Sequence, residues 1–310
     1  MKRLILVVAI PILITASNLF AQAGSAGFQI LKLGYSSRDL SLANSADAVT
    51  GEPVAVFTNP AGIASPEEEG PLGWNTMLAH RNYIAGTTID LFATRFQGAG
   101  FSFATGLLLS SVPDIEVRTV AGDAQGTFDA RDFAFALGVA RSVGDFDIGV
   151  SGTFLYEKIF VYESSGIALN GGIDFNPASN TKIGFAFGNI GSASEMIAQR
   201  VTLPHFVRLG GSYSTPVTDY LSASGFVGVA SFKSGGTVPS LGVEMTYDRL
   251  IVVRAGYASG DQISRSSLIG IPGFSAGAGI RYEFLRFDYS YIPLQQDFGS
   301  TQVFTLSFYL

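Results

Sequence analysis

His80 and His205 are the two imidazoles in a chain of 310 residues, and cysteine is absent. Nucleophilic catalysis needs a serine or thiol within hydrogen-bond reach of a base. Neither histidine has that setting in the sequence. His205 follows Pro204 at the start of a strand pattern and His80 lies beside Arg81 at the end of one, so both read as surface or rim residues. Two histidines and no thiol leave little material for a metal centre. The nearest imitation of a phosphate loop, Gly277-Ala278-Gly279, lies within a strand pattern and lacks the third glycine and the helix that would receive a phosphate. A formal charge of −6 argues against nucleic acid, which asks for a basic face. The reading is a non-enzyme with no cofactor and no metal.

Any function must then rest on the elements themselves. Hydrophobic residues make up 47% of the chain and charged residues 14%, against about 25% charged in an ordinary soluble domain. The longest apolar run, Leu4 to Ile14, is shorter than the ~20 residues of a bilayer-spanning helix. An apolar chain with 37 glycines and 25 phenylalanines, and no spanning helix, points to a closed β-barrel. Lys2 and Arg3, the apolar run, and the small residues up to Ala21 and Ala23 form a secretory signal peptide over 1–23, with cleavage after either alanine.

From about Leu72 the chain alternates with period two. Phe146, Ile148, Val150, Phe154 and Tyr156 share one parity, against Asp147, Gly149, Ser151 and Thr153 on the other. The final run sets Phe304, Leu306, Phe308 and Leu310 against Thr305 and Ser307. One face is apolar and aromatic, as lipid requires, and the other is small or polar, as suits a lumen. Trp74 and the tyrosines read as interfacial anchors. Fourteen strands are expected, at about 72–80, 84–96, 98–109, 128–141, 146–159, 164–176, 182–189, 202–214, 220–232, 240–247, 250–258, 273–283, 285–292 and 299–310. The links after even strands are brief and several after odd strands are long, which is the parity of an outer-membrane barrel with both its ends inside. The expected architecture is therefore an all-β, transmembrane antiparallel barrel over 72–310, set in the lipid bilayer of the bacterial outer membrane.

Residues 24–71 differ and read as a plug or hatch ahead of the barrel, entering the lumen, or else as a linker that stays outside it. Leu40 to Val49 has helical spacing. Pro60 biases Asn59 away from helix, and the Asn59 amide, placed in or under the lumen, can pair with backbone groups otherwise left unsatisfied. Glu67, Glu68 and Glu69, bracketed by prolines, read as a solvated turn.

The stretch Gly34-Tyr35-Ser36-Ser37-Arg38-Asp39-Leu40, with Ala46-Asp47-Ala48-Val49 and Thr58-Asn59-Pro60-Ala61-Gly62-Ile63-Ala64, resembles the PorV/PorQ family within the FadL-like barrel group. Gly184 to Gly191, Arg208 to Tyr213, Val253 to Tyr257 and the block from Ala276 to Pro293 extend the resemblance over nearly the whole mature chain. Arg38, Asp39, Asn59 and Pro60 are the plug residues it implies. Ser41-Leu42-Ala43-Asn44-Ser45 stands where that family has a glycine-rich turn, so continued helix is expected there. The resemblance implies a type IX secretion component that binds secreted proteins, or their carboxy-terminal signal domains, and hands them to the surface attachment machinery. Leu268, Ile269 and Ile271, apolar in a predicted outer loop, would contribute to that partner surface. The alternative is a FadL-like passive channel for hydrophobic small molecules, and a third reading is a purely structural barrel.

Overall fold

The computed structural model describes residues 27–66, 70–197, 199–233, 235–259, 273–294 and 299–310. The signal peptide, the Glu67–Glu69 turn and the Leu268, Ile269 and Ile271 triplet lie outside the described residues. The strands are β1 (Trp74–Asn82), β2 (Thr88–Gly98), β3 (Phe101–Glu116), β4 (Thr127–Val143), β5 (Phe146–Ile159), β6 (Tyr162–Ala178), β7 (Thr181–Ala193), β8 (Glu195–Met196) and β9 (Gln199–Arg200). They continue with β10 (Phe206–Pro216), β11 (Leu221–Phe232), β12 (Gly236–Tyr247), β13 (Ile251–Ala258), β14 (Phe274–Tyr282), β15 (Leu285–Pro293) and β16 (Ser300–Tyr309). Fourteen of them close into one antiparallel barrel, while β8 and β9 form a separate hairpin between β7 and β10. The ring closes where β1 pairs with β16, setting Leu78 opposite Leu306.

Alternation sorts the side chains as lipid and lumen demand. Leu137, Val150 and Ile167 are 58%, 56% and 62% exposed on the outer wall, while Ala136, Ser151 and Ala168 beside them are buried. No helix among the described residues is long and apolar enough to cross a membrane. Six brief links join even to odd barrel strands: 99–100, 144–145, 179–180, 217–220, 248–250 and 283–284. Ala99 and Gly100 both have positive φ, at 53° and 77°, the backbone of a two-residue hairpin whose twist matches its strands. These links mark the periplasmic end. The wall is uneven. Strands β3 to β7 run 13 to 17 residues and β13 to β16 only 8 to 10.

Several boundaries differ from the alternation reading. The strand expected at 202–214 starts at Phe206, because Pro204 cannot donate to a ladder and Leu203 is buried instead. The strand expected from 240 starts at Gly236.

The expected helix over Leu40 to Val49 is corrected. The helix α1 spans Ser37–Ser41. Its start is fixed by a capping box, with the Ser36 hydroxyl accepting from Asp39 N–H at 3.1 Å and the Asp39 carboxylate accepting from Ser36 N–H at 3.3 Å. The chain then leaves helix through Ala43 and Asn44, both left-handed at φ 56° and 60°. The glycine-free turn therefore forms without glycine. Asn tolerates this region and Ala enters it at about 1–2 kcal/mol. What it gains is a turn of backbone laid flat on Gly256, where an added Cβ would come within 2.8 Å of Leu42 Cα.

Candidate functional site in the barrel interior

The stretch from Phe28 to Ala64 is almost wholly buried, and its contacts place it within the ring of strands. Inward-facing glycines form its seat. A Cβ on Gly106, Gly138 or Gly277 would come within 2.9, 2.8 and 2.6 Å of Val56, Ile63 and Ser41, and one on Gly149, Gly172 or Gly242 would meet Pro60, Asn59 and Leu42. The segment crosses the barrel from end to end. Gly27 N–H donates to Thr202 in the outer link between β7 and β10, whereas Gly70 lies against Tyr309 and Leu310 at the periplasmic end.

Two kinds of contact hold it. The one-turn helices Gln29–Lys32, Pro53–Val56 and Pro60–Ile63 supply Ile30, Leu31, Val54, Val56 and Ile63 to an apolar cluster shared with Leu91, Leu108 and Leu155 of the wall. The stretch between them faces β10 to β16 with little apolar cover, a cluster of Leu42, Ala46, Val49 and Phe226.

On that second side runs a chain of alternating charges. Arg38 Nε donates to Glu244 Oε2 at 3.0 Å, and Arg254 Nε donates to the same oxygen at 2.6 Å. Arg254 Nη1 reaches Asp288 Oδ1 at 2.5 Å, Arg286 Nε reaches Asp288 Oδ2 at 2.6 Å, and Arg286 Nη2 bonds Glu52. Three guanidiniums thus meet three carboxylates, and the chain begins and ends on the amino-terminal segment. A further pair joins Arg208 to Asp47 at 3.5 Å, with the guanidinium over the Phe206 ring at 4.4 Å. Such pairs give register more than net stability, but removing one partner costs about 3–5 kcal/mol.

Asn59 is fully buried. Its Nδ2 donates at 2.6 Å both to the Ala48 carbonyl and to Asp174 Oδ1, while its Oδ1 accepts from Ala61 N–H at 3.1 Å. Pro60 opens the next helical turn and its carbonyl rests on Gly149. Arg38 and Asp39 sit side by side on α1 with different roles, Arg38 in the charge chain and Asp39 in the cap. Burial, with the nearby Asp47 and Glu52 carboxylates, pushes the Asp39 carboxyl well above its ordinary range. Its Oδ1 is buried without a hydrogen-bond partner among the described residues, which also favours the neutral acid. Sequence reading named Arg38, Asp39, Asn59 and Pro60 as plug residues, and all four lie in this buried segment. It did not single out Glu52, Asp174, Glu244, Arg254, Arg286 and Asp288. The strand members of that set share one signal, an ionisable residue at the small, inward parity.

His80 lies on the outer wall, with its ring bonded to Asp90 at 2.7 Å and to Asn82 at 3.3 Å rather than to a serine. His205 sits just before β10 in the outer link.

No family model matches the sequence, and no curated protein is similar to it. Among solved structures, the toluene transporter TodX of Pseudomonas putida superposes with a TM-score of 0.59 at 13% identity, covering 88% of this chain and 96% of that one. The monoaromatic hydrocarbon channel CymD gives 0.59 at 14%, covering 88% and 96%. A Pseudomonas aeruginosa FadL homologue gives 0.52 at 14%, covering 88% and 97%. The fold is thus that of the FadL-type channels, and the chain is a bacterial outer-membrane β-barrel of fourteen strands. None of these three structures is described as a PorV/PorQ protein.

Proposed function

We propose that the chain is a gated passive channel for hydrophobic small molecules, with residues 24–71 as its plug. The observation that carries this reading is a barrel filled from end to end by its own amino-terminal segment. An open porin needs no such filling, and passage here requires the segment to move. The superposed proteins are described as a toluene transporter and a hydrocarbon channel, which directs the substrate class toward small apolar compounds. Arg38, Asp39, Asn59 and Pro60 hold the plug in this reading. The test is uptake of toluene and of a long-chain fatty acid by cells whose only such channel is this protein, together with planar-bilayer conductance of a 28–66 deletion. Uptake above vector, and larger conductance in the deletion, are expected. No uptake and unchanged conductance would refute the channel.

The secretion reading draws on the motif resemblance from Gly34 to Ala64 and on Leu268, Ile269 and Ile271 as a partner surface. Changing all three to Ser separates the two. Loss of secreted proteins from the cell surface with uptake intact supports secretion, and the converse supports the channel.

A further inference from the structure

Within the channel reading, on which this step rests, we infer that the moving part of the plug is the loop from Ser36 to Glu52, and that the path it uncovers runs along β10 to β15. The loop is closed at its base, because the Ser36 hydroxyl lies 3.3 Å from Glu52 Oε2. Its two ends are thus held together, as they are in a compact Ω-loop. Its flanks, from Phe28 to Tyr35 and from Val54 to Ile63, are packed into the large apolar cluster with wall residues of β1 to β6, β15 and β16, and Arg81 and Arg95 add hydrogen bonds to the Gly34 and Ile63 carbonyls. The loop itself brings only Leu42, Ala46 and Val49 to a small cluster with Phe226, while Leu40 reaches back toward the large one.

Beside these, Leu42, Ala43 and Ala48 rest on glycines of β10, β12 and β13 and Arg38 lies over the Phe226 ring, but most of the remaining contacts of the loop are polar. Arg38 to Glu244, Asp47 to Arg208 and Glu52 to Arg286 are ion pairs. Ser275 donates to the Ser41 carbonyl at 3.1 Å, Ser37 N–H donates to Thr305 Oγ1 at 2.9 Å, and Asn59 donates to the Ala48 carbonyl. Water can take the place of a hydrogen-bond partner at small net cost. Water does not replace apolar packing. A lumen that fills with water therefore opens where contacts are ionic, and the strained Ala43 and Asn44 conformations are released as the loop leaves. The charge chain left on the wall, Glu244, Arg254, Asp288 and Arg286, stays self-paired through Arg254 and Asp288.

The chain has no cysteine, so engineered bridges are unambiguous. In the full-length protein, Ser41→Cys with Ser275→Cys ties the loop to β14, and Val56→Cys with Ser151→Cys ties the apolar flank to β5. Bridging is by oxidation or by dibromobimane. The loop bridge is expected to abolish channel openings and toluene uptake, with reductant restoring them after oxidation, while the flank bridge leaves both within two-fold. Openings that persist with the loop bridged, or that vanish with the flank bridged, overturn the inference. A second measurement does not depend on conduction: maleimide labelling of Ser45→Cys against Thr58→Cys, both of which are buried. Labelling at least ten-fold faster at position 45 is expected. Equal rates overturn the moving loop even if the protein conducts. Faster labelling without any uptake retains the loop and retires the channel.

Discussion

Replacing Asn59 with Ala removes three hydrogen bonds from one buried amide and tests how the proposed plug is held. Nδ2 reaches the Ala48 carbonyl and Asp174 Oδ1, both at 2.6 Å, and Oδ1 accepts from Ala61 at 3.1 Å. The Ala48 bond is the one that ties the Ser36–Glu52 loop to the rest of the plug. Its loss removes about 0.5–1.5 kcal/mol from the closed state, and leaving the buried carbonyl and carboxylate without a donor adds about 1–3 kcal/mol, relieved when water enters. A net weakening of about 2–3 kcal/mol corresponds to roughly 30- to 150-fold more of the open loop, at about 1.4 kcal/mol per factor of ten. The assay is the maleimide labelling rate of Ser45→Cys in reconstituted protein, with and without Asn59→Ala. Labelling follows the open fraction when reclosing is fast. A change below three-fold would refute the pinning role of Asn59, provided heat-modifiability shows the barrel intact.

Asn59→Asp should loosen the loop further than Ala at neutral pH, since it sets a second carboxylate against Asp174; the same labelling rate should fall as the pH is lowered and one acid takes up a proton. Asp39→Asn keeps an acceptor for Ser36 N–H but carries no charge. Because the Asp39 carboxyl is raised in the buried segment, a docked segment binds more protons than an undocked one between the ordinary carboxylate value and the raised value. Docking of the wild type therefore weakens as pH rises through that window, and the variant should label more slowly than wild type by a margin that grows with pH; a pH-independent ratio would contradict the assignment. On the outer wall, Leu137→Arg, well inside β4, should cost about 2–4 kcal/mol of barrel stability in lipid, and Phe308→Asp, beside the periplasmic end of β16, only about 0–1 kcal/mol. Urea unfolding in vesicles ranks the two, and an equal cost would mean the lipid band is misplaced.

The outer wall was legible because lipid imposes one rule on every strand. An outward position must be apolar, so parity alone separated Phe304, Leu306 and Phe308 from Thr305 and Ser307, and the structure keeps that division. Turn parity was legible for a related reason, since very short links leave room for little beyond a hairpin, although the link expected at Gln97 is formed by Ala99 and Gly100. Boundaries were less so. Pro204 interrupts the ladder without breaking the alternation around it, and periodicity carried the strand too far back. The helix over Leu40 to Val49 failed on tertiary contact. Spacing favours helix there, but the turn at Ala43 and Asn44 is selected by the glycines on β12 and β13 against which it lies.

The inner face follows a different logic, and this explains why its charges were overlooked. No common solvent dictates it, so each inward residue is chosen for the part of the plug that reaches it. Asn59 was readable because the Asn-Pro pair ends a helix locally. Its partner Asp174 is 115 positions away, and nothing near Asp174 in the chain announces the amide it meets. Arg38 and Glu244 are 206 positions apart, joined only by ring closure and strand stagger. Parity could show that Glu244, Arg254, Arg286 and Asp288 point inward. It could not show that they form one chain ending on Arg38 and Glu52. Inward charge on several adjacent strands nevertheless carries information by itself. Ionisable groups facing an apolar plug would be costly, so such a cluster requires either water or an opposing charge. In this barrel the four wall charges pair with one another, and Arg38 and Glu52 extend the chain at its two ends, which makes one side of the amino-terminal segment largely ionic.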